Sequence, residues 1–200
     1  ADDEGLLLLD TKDLKSMIQY VSEHSKDYAM EYGNIEMLVS PWSPPAYMKT
    51  TGMMNKGGKL KEEYFELWAE YFVKFIDAYK ENGVNISIVS VQNEPKAVQT
   101  WDSCVYTPEE ERDFVKNYLG KTLSDKNIKI LFWDHNKERL IERAKVMLSD
   151  SEAAKYIYGI ALHWYSGDHF EQLEMFHKLY PNIKIKIINR VTSETISLLK

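Results

Sequence analysis

The 200-residue chain is poor in cysteine, in long apolar stretches and in positive charge, and each shortage excludes a class of protein. Cys104 is the single cysteine, so an internal disulfide and a cysteine-based zinc cluster are both excluded. No apolar run, Gly5 to Leu9 at the N-terminal end included, approaches the ~20 residues of a membrane-spanning helix. No leader of charged, then apolar, then small residues precedes that N-terminal run, which leaves the compartment open. The chain starts at Ala1 rather than Met, and a trimmed start is expected. Lys and Arg number 25 against 31 Asp and Glu, a net charge of −6. Without a basic field to neutralise phosphates, nucleic acid is not an expected partner. Glycine-rich phosphate cradles are also missing: neither G-x-G-x-x-G nor G-x-x-x-x-G-K-[ST] occurs. Gly57-Gly58-Lys59 follows no strand and reads as a turn.

What is present is ordinary globular composition, 44% hydrophobic and 28% charged, with 9 Gly and 6 Pro. No repeat and no Gly/Ser linker divides the chain, so residues 1–200 read as one domain. Residues 1–34 carry eight acids and three bases, whereas 181–200 carry four bases and one acid. An acidic, solvated N-terminal arm and a tail of different character are expected.

Helical and strand periods alternate. Leu14–Met30 reads as a helix and Ile35–Ser40 as a strand. From Glu62 to Asn82, Phe65, Trp68, Phe72, Phe75, Ile76 and Tyr79 recur every three or four positions, and Gly83 suits a helix cap. Ile86–Val91 is a β-branched strand. Thr107-Pro108-Glu109-Glu110 forms a capping box with proline at the first helical position. It opens a helix through Phe114, Val115, Tyr118 and Leu119 that Gly120 is expected to close. Ile128–Trp133 and Tyr156–His163 read as strands, Glu138–Leu148 and Phe170–Leu179 as helices, and Ile183–Ile188 as a last strand.

Strands alternating with helices imply crossover units, a parallel sheet and an α/β fold with about five consecutive βα units. Such sheets gather binding groups at strand carboxyl ends, in open doubly wound sheets and in barrels alike. Four polar or aromatic clusters stand there: Ser40-Pro41-Trp42, Gln92-Asn93-Glu94-Pro95, Trp133-Asp134-His135-Asn136 and His163-Trp164-Tyr165. The segment from Pro41 to Leu60 is long, carries Trp42 and Tyr47, and suits the wall of a cleft.

Glu94, at a strand terminus among aromatic neighbours, fits a carboxyl whose proton affinity is raised by desolvation until it acts as a general acid. The same tetrapeptide also fits a surface strand end with a turn-starting proline. Trp101 and Tyr106, in the loop after Pro95, are pocket candidates or core residues. Trp68 and its helical stripe read as core, and Cys104 as an inert small residue. His163 on a buried strand fits a satisfied core histidine as well as a site residue. Asp134 and His135 lie in one cluster, but His24, His163, His169 and His177 show no recognised ligand spacing, so no metal is expected.

Ser40-Pro41-Trp42-Ser43-Pro44-Pro45-Ala46-Tyr47-Met48-Lys49-Thr50, Gln92-Asn93-Glu94-Pro95 and His163-Trp164-Tyr165 together closely resemble glycoside hydrolase family 30, the glucosylceramidase-like enzymes. The likeness covers residues 35–182, in order and at the family's spacing. It implies a (β/α)₈ TIM barrel, of which this chain carries a part incomplete at both ends, and a small β-sandwich built from both ends of a full chain. It implies a retaining β-glycosidase with two glutamates on the fourth and seventh strands and no cofactor. Glu94 matches the acid/base and Asn93 the residue that contacts the sugar 2-hydroxyl. Trp42, His163 and Tyr165 match pocket residues that stack on or hydrogen-bond to the sugar. The implied partner is a carbohydrate or glycolipid substrate, with related enzymes acting on glucosylceramide, β-1,6-glucan and xylan-type chains.

From residue 186 the tail departs from the family pattern. The second glutamate's position falls at Asn189, in Ile187-Ile188-Asn189-Arg190-Val191, and Glu194 is the one glutamate downstream. Placing Glu194 as nucleophile needs extra residues inside a short strand, where an odd slip turns inward side chains outward. A shifted reading frame in the tail and little turnover by the chain as it stands are therefore expected. The alternative functions are a catalytically dead sugar-binding pseudoenzyme or a β-1,6-glucanase- or xylanase-type relative.

Overall fold

The computed structural model describes residues 37–81 and 84–188. The expected Leu14–Met30 helix, the Gly83 cap, Glu194 and the tail beyond Ile188 lie outside them. Five strands form one sheet: β1 (Met37–Val39), β2 (Ile86–Ser90), β3 (Lys129–Asn136), β4 (Ile157–His163) and β5 (Lys184–Ile187). Every neighbouring pair is parallel, and the spatial order is the sequence order β1-β2-β3-β4-β5. A doubly wound sheet reverses direction at a switch point. This one never does, and five consecutive parallel strands with helices between them form half of a TIM barrel.

The helices are α1 (Phe65–Glu81), α2 (Pro108–Phe114), α3 (Gly120–Leu123), α4 (Leu140–Ser149), α5 (Ser151–Ala154) and α6 (Phe170–Leu179). The capping box at Thr107 forms in both directions: Thr107 Oγ1 accepts from the Glu110 N–H and the Glu110 carboxylate from the Thr107 N–H. Gly120 does not close this helix. A π turn, Val115–Leu119, follows α2, and α3 continues through Gly120 in right-handed helical geometry. The glycine is there for space: a Cβ would strike the Tyr156 ring and lie 2.7 Å from the Val115 carbonyl oxygen.

The central strands β2, β3 and β4 are buried on both faces, which is why their runs are almost continuously apolar, whereas β1 is half-buried and β5 alternates Lys and Ile. Val89, Ile130, Phe132, Ile160 and Leu162 face outward against Trp68, Phe72, Ile76, Phe114, Leu140, Met147 and Phe176 of the helices. Ile88, Leu131 and Ala161 form the inner layer, with Leu38 and Ile188 beside it. With a side-chain period of two, Ser90 and His163 continue that inward face, two residues past Ile88 and Ala161. The barrel interior therefore passes from apolar to polar at the carboxyl ends of the strands.

The strand β3 runs three residues beyond the expected Trp133 end. Its register with β4 shifts between Trp133 and His135, where Trp133 and Asp134 take left-handed φ of 71° and 44°. The bulge turns the polar tetrapeptide into strand and aims Asp134 inward.

Candidate active site

Four strand ends build the site. After β1, Ser40 places its hydroxyl on Asp134 Oδ2. After β2, Gln92 is fully buried and donates from Nε2 to the carbonyls of Trp42 (2.8 Å) and Asn93 (2.9 Å). The Asn93 N–H donates to the Pro41 carbonyl at 2.9 Å. These bonds join the first two strand ends and leave Glu94 at a left-handed φ of 45°. That conformation costs a non-glycine residue roughly 1–3 kcal/mol and persists where the surroundings hold it. Here the Glu94 N–H donates to the Asp134 carbonyl at 2.9 Å.

From β4, His163 lies between two carboxylates. Its Nδ1 is 3.1 Å from Glu94 Oε1 and its Nε2 is 2.8 Å from Asp134 Oδ1. An ionised carboxylate only accepts, so both ring nitrogens donate and the ring is an imidazolium. Burial alone would lower the histidine's proton affinity. The hydrogen bonds to Asp134 and Glu94, with their charges, outweigh it and lift the His163 pKa to about 9. The effect on Glu94 is the reverse of the one expected from the sequence. The hydrogen bond from His163 holds the Glu94 carboxyl below its ordinary value, more strongly than burial raises it. Its other oxygen, Oε2, takes a long 3.5 Å contact from Gln99 Nε2.

Under this layer the Trp133 indole stacks on His135 (4.8 Å between ring centroids) and on the Arg143 guanidinium (4.5 Å). The Trp133 main-chain N–H donates to buried Glu111 at 2.8 Å, while its indole N–H donates to the Asn136 carbonyl at 2.8 Å. Glu111 pairs with Arg143 at 3.6 Å, and Arg143 reaches the Tyr106 carbonyl with two 3.1 Å bonds.

The structure divides the candidates. Glu94, Asn93 and His163 come together at the strand ends. Trp42, Trp101 and Tyr165 are each about half exposed, at 52%, 51% and 60%, on the loops at that end of the sheet. Tyr106 is not with them: it is 2% exposed, its ring beside Phe114, and it belongs to the core. The Cys104 thiol is fully buried and pushed up to about 11 by desolvation, which suits an inert residue. Asp134 and Ser40 join the site although neither was picked out as a site residue. Their signal is position alone, Ser40 just after β1 and Asp134 at the bulged carboxyl end of β3.

The segment from Pro41 to Leu60 is more ordered than a plain loop. It doubles back through Lys49 and Leu60 (Thr50 N–H to Lys59 carbonyl, 2.9 Å; Lys61 N–H to Met48 carbonyl, 2.9 Å). It also pairs with the loop after β2: Lys56 N–H to Gln99 carbonyl (2.8 Å), Ser103 N–H to Met54 carbonyl (3.0 Å), Val105 N–H to Gly58 carbonyl (2.8 Å). The buried Lys49 ammonium donates to the Met54 and Ser103 carbonyls, one on each loop. Gly57 and Gly58, at φ 65° and 78°, make the expected turn. Among the described residues no group of three or more His, Cys, Asp or Glu could hold a metal ion, and no helix is long and apolar enough to cross a membrane.

Residues 6–195 match the family model described as the glycosyl hydrolase family 30 TIM-barrel domain. The chain belongs to glycosyl hydrolase family 30. The matched span includes most of the tail that follows residue 186. Mouse lysosomal acid glucosylceramidase is 39% identical over 161 residues, 74% of this chain and 31% of that protein. Among solved structures, SrfJ of Salmonella typhimurium superposes with a TM-score of 0.76 at 34% identity, covering 92% of this chain and 45% of SrfJ. The endo-β1,6-glucanase BT3312 also reaches 0.76, at 28% identity, over 90% of this chain and 41% of its own. The chain spans about a third of the length of the curated relatives it matches.

Proposed function

We propose that this family 30 chain carries the acid/base side of a retaining, glucosylceramidase-like β-glycosidase site, with Glu94 as the acid/base. The observation that supports this most directly is the Asp134–His163–Glu94 chain of hydrogen bonds at adjacent strand ends. In double displacement the acid/base gives a proton to the glycosidic oxygen while a second carboxylate, ~5–5.5 Å away, attacks the anomeric carbon. The acid/base then takes a proton from the water that releases the sugar. His163 alone favours an ionised Glu94. A second carboxylate facing it across the sugar raises its proton affinity, because like charges at close range resist ionising together. Glu194 is the candidate for that carboxylate, and it lies outside the described residues.

The substrate we propose is a β-linked glucoside, glycolipid or glucan, in keeping with the glucosylceramidase and β-1,6-glucanase names of the relatives. The Asn93 amide is suited to the sugar 2-hydroxyl. The exposed rings of Trp42, Trp101 and Tyr165 offer flat apolar faces to pyranose C–H groups. The test is hydrolysis of an aryl β-D-glucoside and of a β-1,6-glucan oligosaccharide, together with calorimetric binding of the same sugars. Little turnover is expected of this chain by itself, and whatever turnover it shows should fall by about 10²- to 10⁴-fold in Glu94→Gln while sugar binding survives. Turnover untouched by Glu94→Gln would overturn the assignment. Binding without turnover would instead point to a sugar-binding protein, and neither binding nor turnover would refute both.

A further inference from the structure

Asp134 holds Glu94 by two routes. Its main-chain carbonyl accepts the Glu94 N–H at 2.9 Å, fixing the left-handed backbone of the acid/base residue. Its side chain accepts from His163 Nε2 at 2.8 Å, and the opposite edge of the same ring meets Glu94 Oε1 at 3.1 Å. Asp134 itself is fully buried, with Ser40 on its second oxygen. A buried carboxylate with one hydroxyl donor needs a cation for the rest of its compensation, and His163 is the cation it faces. We propose that Asp134 is a positioning residue: it keeps both N–H groups of His163 in place and thereby pins Oε1 of Glu94, leaving Oε2 as the oxygen that carries the catalytic proton. This rests on Glu94 being the acid/base.

Among the described residues, the groups around His163 are few. Asp134 and His135 (ring centroid 6.3 Å away) face it from β3, Glu94 from the end of β2, and Tyr165 (5.5 Å, edge to face) from beyond β4. Glu138 acts on His135, while Glu111 and Arg143 lie beneath Trp133. Two carboxylates against one imidazolium explain why its proton is held so firmly, and the raised His163 value agrees. Of the two, Asp134 is the nearer and the fully buried one, so its charge is the less screened.

The test is a proton titration of His163 by NMR, on the full chain carrying ¹⁵N-labelled histidine, with His163→Gln used for assignment. It reads the hydrogen-bonded ring directly and needs no turnover, so its outcome is separate from that of the glycosidase assay. In the unsubstituted chain both ring nitrogens should be protonated at pH 7. Asp134→Asn should lower the His163 midpoint by about 1–3 pH units, and Glu94→Gln should lower it less. A His163 midpoint at or below the ordinary histidine value in the unsubstituted chain would overturn the proposal. So would a fall in Glu94→Gln equal to or larger than that in Asp134→Asn. Should Asp134→Asn fail to fold, Glu94→Gln decides by itself: His163 still protonated at pH 7 supports Asp134 as its anchor, and a return to the ordinary midpoint refutes it.

Discussion

Raising the pH through the alkaline range should unload a specific part of this fold's stability. His163 is held with a folded-state pKa of about 9, above the ordinary 6.5, by hydrogen bonds and charge from Asp134 and Glu94 that outweigh its burial. A group with a raised folded value adds stability that is fully present below its unfolded pKa and is lost as pH climbs through the folded one. The window for His163 is therefore from about 6.5 to about 9. At 1.36 kcal/mol per unit, the interval corresponds to up to about 3 kcal/mol. The side chain is only 7% exposed, so solvent screening removes little of it. Urea unfolding followed by tryptophan fluorescence, repeated from pH 7 to 9.5, measures the loss. His163→Gln cannot carry the charge and should be less stable at pH 7 and lose less stability than the unsubstituted chain between pH 7 and 9. Parallel pH dependence in the two proteins would refute the placement of a charged His163 between the two carboxylates.

Three further perturbations follow from the packing. Gly120→Ala forces a methyl group into the Tyr156 ring and the Val115 carbonyl; it should cost about 1–3 kcal/mol, and an unchanged urea midpoint would contradict the close approach. Lys49→Met strips the buried ammonium from the Met54 and Ser103 carbonyls. Limited proteolysis should then cut residues 50–60 and 96–103 sooner than the helices, and cleavage at the original rate would show the two loops hold together without it. Trp101→Ala removes a half-exposed ring and should weaken binding of a β-glucan oligosaccharide about fivefold, the equivalent of about 1 kcal/mol of stacking, with the urea midpoint unmoved. Unchanged affinity would take Trp101 out of the binding surface.

Much of the scaffold was legible because parallel strands and amphipathic helices leave different periods. Phe170–Leu179 appears with the bounds its pattern indicates, and Ile86–Ser90 ends one residue before the expected limit. The end of β3 was hidden because Trp-Asp-His-Asn has the composition of a loop, while its strand character comes from a bulged pairing with β4. Gly120 misled for a related reason. Glycine caps helices through its left-handed freedom, but here it is required by the approach of Tyr156, a neighbour 36 residues away in sequence. Glu94 and His163 could be picked out by motif. Asp134 could not be assigned to them, since its link exists only once β2, β3 and β4 are laid side by side. For the same reason the Glu94 shift runs opposite to the expectation: the strand pattern shows its burial, and the imidazolium beside it comes only from the fold.

The hydrogen bonds between the β1 and β2 loops have a consequence for how such a site can diversify. Since Lys56, Gly58 and Ser103 tie one loop to the other, the two segments form one fitted piece, although some 40 residues of chain lie between them. Grafting either loop alone from a relative of different sugar preference would leave backbone donors facing mismatched carbonyls, and the substitutions should interact rather than add. Altered specificity at this rim is best sought by transplanting both segments together, with the residue at position 49 chosen to suit the pair.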